Sequence, residues 1–90
     1  MKLIVKRNLN DYESWKNIVQ GNNELRKEKG SRGVNVYRSA QNPREVYMVF
    51  DWDDEKPYRG YMEQPEVKQM LAETGSTEII EISETFSLEA

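Results

Sequence analysis

The segment Glu45-Val46-Tyr47-Met48-Val49-Phe50-Asp51-Trp52 constrains the fold more than any other part of the chain. Its β-branched and aromatic residues favour a strand. Side chains alternate across a strand, so Val46, Met48, Phe50 and Trp52 share one face while Tyr47, Val49 and Asp51 share the other. An antiparallel strand with one wet side carries polar residues there, and here Tyr and Val stand in that phase instead. Both faces therefore need cover, one from helices and the other from something outside this core.

The flanking segments supply the helices and further strands. Lys2 to Arg7 is a first strand bounded by Asn8-Leu9-Asn10. Asn10 and Glu13 fit an N-cap and its capping-box partner, and Tyr12, Trp15, Ile18, Val19 and Leu25 recur at helical spacing. This predicts a helix from about Asp11 to Lys29, with a basic last turn and Gly30 as the C′ residue. Gly33 to Ala40 is a strand joined to Glu45–Trp52 by Gln41-Asn42-Pro43-Arg44, a length and chemistry suited to a hairpin loop. Asp53-Asp54-Glu55 caps a second helix bearing Tyr58, Tyr61 and Met62, and Pro65 interrupts it. Proline fits best at N1, so a break at Gln64 and a restarted helix over Pro65 to Glu73 are expected, burying Val67, Met70 and Leu71 and ending at Gly75. Glu78 to Phe86 is the last strand, with Glu78, Glu81 and Glu84 marking a solvent-facing or edge portion, and Ser87 to Ala90 is a frayed tail.

The order βαββαβ is that of an α+β, ferredoxin-like plait: a four-stranded antiparallel sheet with its helices on one face. A chain of 90 residues buries only roughly 60–65% of its unfolded surface. A second copy packed on the open sheet face, giving an isologous homodimer, would complete the fold and cover Tyr47 and Val49.

Composition removes whole classes of chemistry. The chain has no Cys and no His, which excludes disulfides, thiolate nucleophiles, thiolate metal centres, imidazole bases and His-ligated haem. A net charge of −3 argues against nucleic-acid binding. The first apolar run, Leu3-Ile4-Val5, is too short for a signal peptide or membrane span, so a cytoplasmic location without membrane contact is expected. The acidic run from Asp51 fails as an EF-hand loop, with Lys56 where Gly is needed, Pro57 next and Met62 where a bidentate Glu is needed, so no metal is expected there. Arg26, Lys27, Lys29 and Arg32 are read as a solvated helix C-terminus, and Gly30 and Gly33 lack phosphate-loop spacing.

Several stretches together resemble a known family. They are Asp11-Tyr12-Glu13-Ser14-Trp15-Lys16, Leu25 to Gly30, Val36-Tyr37-Arg38-Ser39 with Asn42-Pro43, Val46 to Asp54, and Pro65 to Met70 with Gly75. Across nearly the whole chain they are similar to the antibiotic biosynthesis monooxygenase-like domains of the dimeric α/β-barrel superfamily. The resemblance implies two plaits closing a β-barrel, each keeping a pocket between helices and sheet. It also implies oxygenases that need no cofactor and act on polyphenolic or quinol-type aromatics, alongside haem-degrading relatives and others without known activity. The haem-degrading pattern requires a proximal His with an Asn and a Trp. Asn8, Trp15 and Trp52 are present here, but the missing His sets the chain apart from that branch.

Oxygenation without a cofactor requires a bound, electron-rich substrate whose anion is stabilised while it reduces oxygen. The candidates for that work are Asn8, Tyr37, Arg38, Asp51, Trp52, Tyr58 and Arg59, with Tyr12, Trp15, Met48, Phe50, Tyr61 and Met62 as candidate walls of an aromatic pocket. Each has a plainer reading: the aromatics and Met as core, and Arg38 with Asp51 as a cross-strand ion pair. The rival function is a non-catalytic homodimer that binds or sequesters a small aromatic or lipid-like molecule, or serves a structural role.

Overall fold

The computed structural model describes residues 1–89. In chain order they form β1 (Lys2–Leu9), α1 (Tyr12–Gly21), α2 (Asn23–Glu28), β2 (Ser31–Arg38), β3 (Glu45–Trp52), α3 (Glu55–Met62), α4 (Pro65–Thr74) and β4 (Gly75–Ile82). The strands make one antiparallel sheet in the order β2-β3-β1-β4. This is the expected plait.

Register decides which side chains meet the helices. Leu3, Val5 and Arg7 lie opposite Phe50, Met48 and Val46 on β3, and opposite Glu81, Ile79 and Thr77 on β4. Directly opposed residues share a face, so these positions form the side on which the helices pack. Leu3, Val5, Val46, Met48 and Trp52 are buried there with Trp15 and Val19 of α1, Tyr58 and Tyr61 of α3, and Val67 of α4. The other face presents Ile4, Tyr47, Val49, Ile80 and Ile82, uncovered within one chain; Ile80 is 50% exposed.

Several boundaries differ from the sequence reading; β1 runs on to Leu9 where Arg7 was expected to end it, and β2 stops at Arg38, short of Ala40. The N-cap of α1 is Asp11 rather than Asn10: the Ser14 N–H donates to Asp11 Oδ2 at 2.9 Å, and hydrogen bonding from the Ser14 side chain first and its backbone second holds that carboxyl below its ordinary pKa. Asn10 is used otherwise, its Nδ2 donating to Glu73 O at 2.9 Å and tying the end of β1 to the end of α4. The long first helix is two, broken at Asn22, because Gly21-Asn22-Asn23 combines poor helix formers whose side chains compete for the backbone. Strand β2 begins at Ser31, not Gly33, and an irregularity between those residues lets the strand start against Trp52.

The last strand is shifted towards the N-terminus, running from Gly75 to Ile82 instead of Glu78 to Phe86. Its partner sets the limit: β1 pairs Leu9 with Gly75 at one end and Lys2 with Ile82 at the other, and has nothing left to offer Phe86, which is 79% exposed. Pro65 is N1 of α4 after a break at Gln64, and Gly75 caps that helix while opening β4. Gly75 has φ +152°, and a Cβ there would lie 2.0 Å from the Asn8 carbonyl oxygen. Helix end and strand start can therefore coincide only at glycine.

Candidate functional site

Between helices and sheet lies a cavity of about 50 Å³. Since one water needs at least about 10–15 Å³, it admits a few waters; it is about a third of the roughly 150 Å³ that holds benzene, so a ring requires the flexible Met48, Met62 and Met70 of its wall to give way. The wall is dominated by apolar and aromatic side chains from β1, β3, α1, α3, α4 and β4.

One end is aromatic. Trp52, 1% exposed at the end of β3, packs against Tyr61 at 5.2 Å, Tyr58 at 5.6 Å and Phe50 at 6.4 Å between ring centroids. Its indole Nε1 is buried and has no hydrogen-bond acceptor. Leaving a buried donor unsatisfied costs about 1–3 kcal/mol, so this N–H, on a residue that lines the cavity, needs an acceptor that the described residues do not supply. Burial and the negative Glu81 raise the Tyr58 phenol above its ordinary pKa, with Arg59 opposing them. A phenol so placed stays protonated at neutral pH.

Two arginines also line the cavity, and the sequence reading missed both. Arg7 occupies the apolar phase of β1, and Arg26, read as part of a solvated helix end, is buried. Arg7 Nη2 donates to Leu71 O and to Thr74 Oγ1, both at 2.9 Å, and Arg26 Nη2 donates to Val19 O at 2.7 Å. Both residues thus fasten the C-terminal ends of helices, where cations are favoured. Burial lowers the Arg7 pKa from its ordinary value, yet a guanidinium still holds its proton at neutral pH. The signal for Arg7 was available: a charged residue where Leu3, Val5 and Leu9 define the buried phase. Nothing local marked Arg26, whose burial follows from the bend at Asn22.

The sequence candidates separate by strand parity and helix face. Trp52, Tyr58, Trp15, Met48, Phe50, Tyr61 and Met62 stand in the cavity wall. Asn8 and Asp51 lie on the opposite face of the sheet, Asn8 beside Glu45 and Ser76, and Asp51 beside Lys2 and Gly33. Tyr37 is on that face too, opposite Tyr47 and 58% exposed. Arg59 points away from the cavity and bridges Glu55 of its own helix and Glu81 of β4. Tyr12 packs on Trp15 outside the cavity wall and carries the Arg38 guanidinium 3.8 Å above its ring centroid. The suggested Arg38–Asp51 pair does not form, because Arg38 lies opposite Val46, five residues along β3 from Asp51. No Asp or Glu is among the residues that line the cavity. Among the described residues, no group of three or more carboxylates is placed to hold a metal ion, and no helix is long and apolar enough to cross a membrane.

The sequence model of the antibiotic biosynthesis monooxygenase family matches residues 11–73. None of the curated proteins matches the sequence significantly. Among solved structures, SnoaB, a cofactor-independent oxygenase from Streptomyces nogalater, superposes with a TM-score of 0.81 at 11% identity, over 99% of this chain and 96% of SnoaB. A conserved protein from Methanosarcina mazei Go1 is 23% identical with a TM-score of 0.69, over 88% of this chain and 86% of that one. At such identities the likeness is one of fold.

Proposed function

The chain belongs to the antibiotic biosynthesis monooxygenase family, and from that premise we propose that its helix–sheet cavity binds a small electron-rich aromatic or quinol-type compound and promotes its oxidation by dioxygen without a cofactor. The observation that carries this reading is the buried, unpaired indole N–H of Trp52, a residue of the cavity's aromatic wall. Such a donor stabilises negative charge as it develops on a substrate oxygen, and does so most strongly where water is excluded.

The chemistry then falls largely to the substrate. Its anion supplies the electrons that reduce dioxygen; one oxygen atom ends in the product as a carbonyl, replacing the two hydrogens of a ring CH2, and the other leaves as water. No carboxylate lines the cavity and Tyr58 holds its proton, so the substrate must ionise readily by itself. Trp15, Phe50 and Tyr61 would hold its ring, and the mostly apolar wall would keep much of the solvent from its anion.

The same reading places a second copy of the chain on the open sheet face, where Ile4, Tyr47, Val49, Ile80 and Ile82 form an apolar strip between Lys6, Glu45 and Glu78. The missing acid–base group favours one alternative, a homodimer that binds such a compound without turnover. Oxygen consumption with an anthrone- or quinol-type substrate separates the two, and Trp52→Phe should slow it about 100-fold.

A further inference from the structure

We propose that the cavity is entered along the edge strand β4, and that the ion pair of Arg59 with Glu81 is the latch that holds this entrance shut. The inference rests on the reading of the cavity as a ligand site for what passes through, while the access it describes can be measured without any ligand being turned over.

Exposure locates the mouth. Of the residues that line the cavity, those of β1 and α1 are buried, as are Met48 and Trp52 of β3. The exposed ones are Thr77 and Ile79, the latter 38% exposed although it stands on the face where the helices pack. Both belong to β4, which forms an edge of the sheet. On the helix side of the cavity, Met62 at the end of α3 and Met70 and Leu71 of α4 are only partly buried. The wall is therefore thinnest along a slot between β4 and the helices α3 and α4. Two of the three methionines that must move before a ring fits, Met62 and Met70, stand at that slot.

The two ends of the slot differ. At one, α4 passes directly into β4 at Thr74–Gly75, and Arg7 ties Leu71 and Thr74 to β1, so the chain itself fixes this end. At the other, Glu81 follows Ile79 on the same face of β4, and Arg59 Nη2 of α3 donates to Glu81 Oε1 at 2.9 Å. Among the described residues this is the one side-chain hydrogen bond that joins α3 to β4, and both of its members are half exposed. A second bond, from Arg59 Nε to Glu55 Oε1 at 2.7 Å, stays within α3 and does not span the slot. An exposed ion pair is weak and screened by salt. One placed across the free end of a slot keeps it closed on average and releases it often, as the entrance to an otherwise buried cavity requires.

Both tryptophans of the chain, Trp15 and Trp52, line the cavity and are at most 2% exposed, so quenching of their fluorescence by acrylamide, a small neutral molecule, reports entry. In the full chain, Glu81→Gln should raise the quenching constant at least about 1.5-fold and up to about fivefold. Sodium chloride at about 0.5 M should do the same to the wild-type protein and add little to the variant. Glu55→Gln, which cuts the bond inside α3, should raise it less than about 1.5-fold. A rise below about 1.5-fold in Glu81→Gln would overturn the latch, and so would an equal rise in Glu55→Gln, which would assign the effect to loosening of α3. Should Glu81→Gln not fold, the salt response of the wild-type protein alone decides. None of these outcomes depends on oxygen uptake, whose absence would overturn the oxidation reading and leave the latch standing.

Discussion

The indole of Trp52 lies 5.2 Å from the ring of Tyr61, tilted 43° to it, so that the last residue of β3 is clasped by α3 while its Nε1 stays unpaired. Aromatic pairs of this geometry contribute about 0.5–1.5 kcal/mol beyond their buried area. The residue therefore combines a packing role with an unmet polar one, and the two can be separated. Trp52→Phe keeps an aromatic ring against Tyr61 and deletes the orphan donor. The smaller ring leaves some empty volume, which costs stability, and relief of the unsatisfied N–H offsets part of that cost. Thermal unfolding should show a net change below about 2 kcal/mol. A larger loss would mean that the indole N–H has a partner in the folded protein.

Gly75→Ala should be far more damaging than its size suggests. The backbone at φ +152° already disfavours a side chain, and the new Cβ would strike the Asn8 carbonyl, which belongs to the central strand β1 and cannot move cheaply. Urea unfolding should register a loss of at least about 2 kcal/mol. A loss below about 0.5 kcal/mol would show that β4 enters the sheet by another path.

Alkaline pH should weaken the fold through Tyr58. Its pKa is raised in the folded protein, by burial first and by Glu81 second, above the ordinary value of 10.0. Below pH 10 folded and unfolded chains both hold the proton and stability does not respond. As pH rises from there towards the folded-state pKa, only the unfolded chain ionises, and stability falls. In denaturant titrations above pH 10, Tyr58→Phe should make that decline shallower; an unchanged slope would place the phenol in contact with water.

The open face should be the dimer contact. Ile80, half exposed, stands on the edge strand β4 opposite Ile4 on β1. A lysine there brings an unpaired charge into an isologous contact on that face, once from each copy. Wild-type protein is expected to sediment at twice the chain mass at micromolar concentration and Ile80→Lys at the chain mass, with unchanged circular dichroism. A wild-type monomer would remove the second copy.

Much of the fold was legible because its signals are local. Alternation placed Val46, Met48 and Trp52 on the buried face, Pro65 located the start of α4, and Gly75 its end. What escaped depends on partners far along the chain. Phe86 has the character of a strand residue, but β1 ends before it can pair. Asp11 is the cap in place of Asn10 because α1 starts at Tyr12 and the Ser14 N–H meets the Asp11 carboxylate, while the Asn10 amide N–H is given to Glu73, 63 residues away. For the cavity, residue type identified the aromatic and Met wall, whereas Asn8, Tyr37 and Asp51 had suitable chemistry on the wrong strand parity. Arg7 was visible only as a charge in an apolar phase, and its use as a tether between β1 and the end of α4 appears only in three dimensions.

Oxygen uptake in a closed cell, with an anthrone- or quinol-type substrate, a metal chelator and no added cofactor, tests the proposed activity most directly. The expected result is saturable consumption of dissolved oxygen above the uncatalysed rate, with a carbonyl in the product and a marked loss of rate in Trp52→Phe. Saturable quenching of tryptophan fluorescence by the same compounds, with oxygen uptake no faster than without protein, would contradict it and make this chain a binder that does not turn its ligand over.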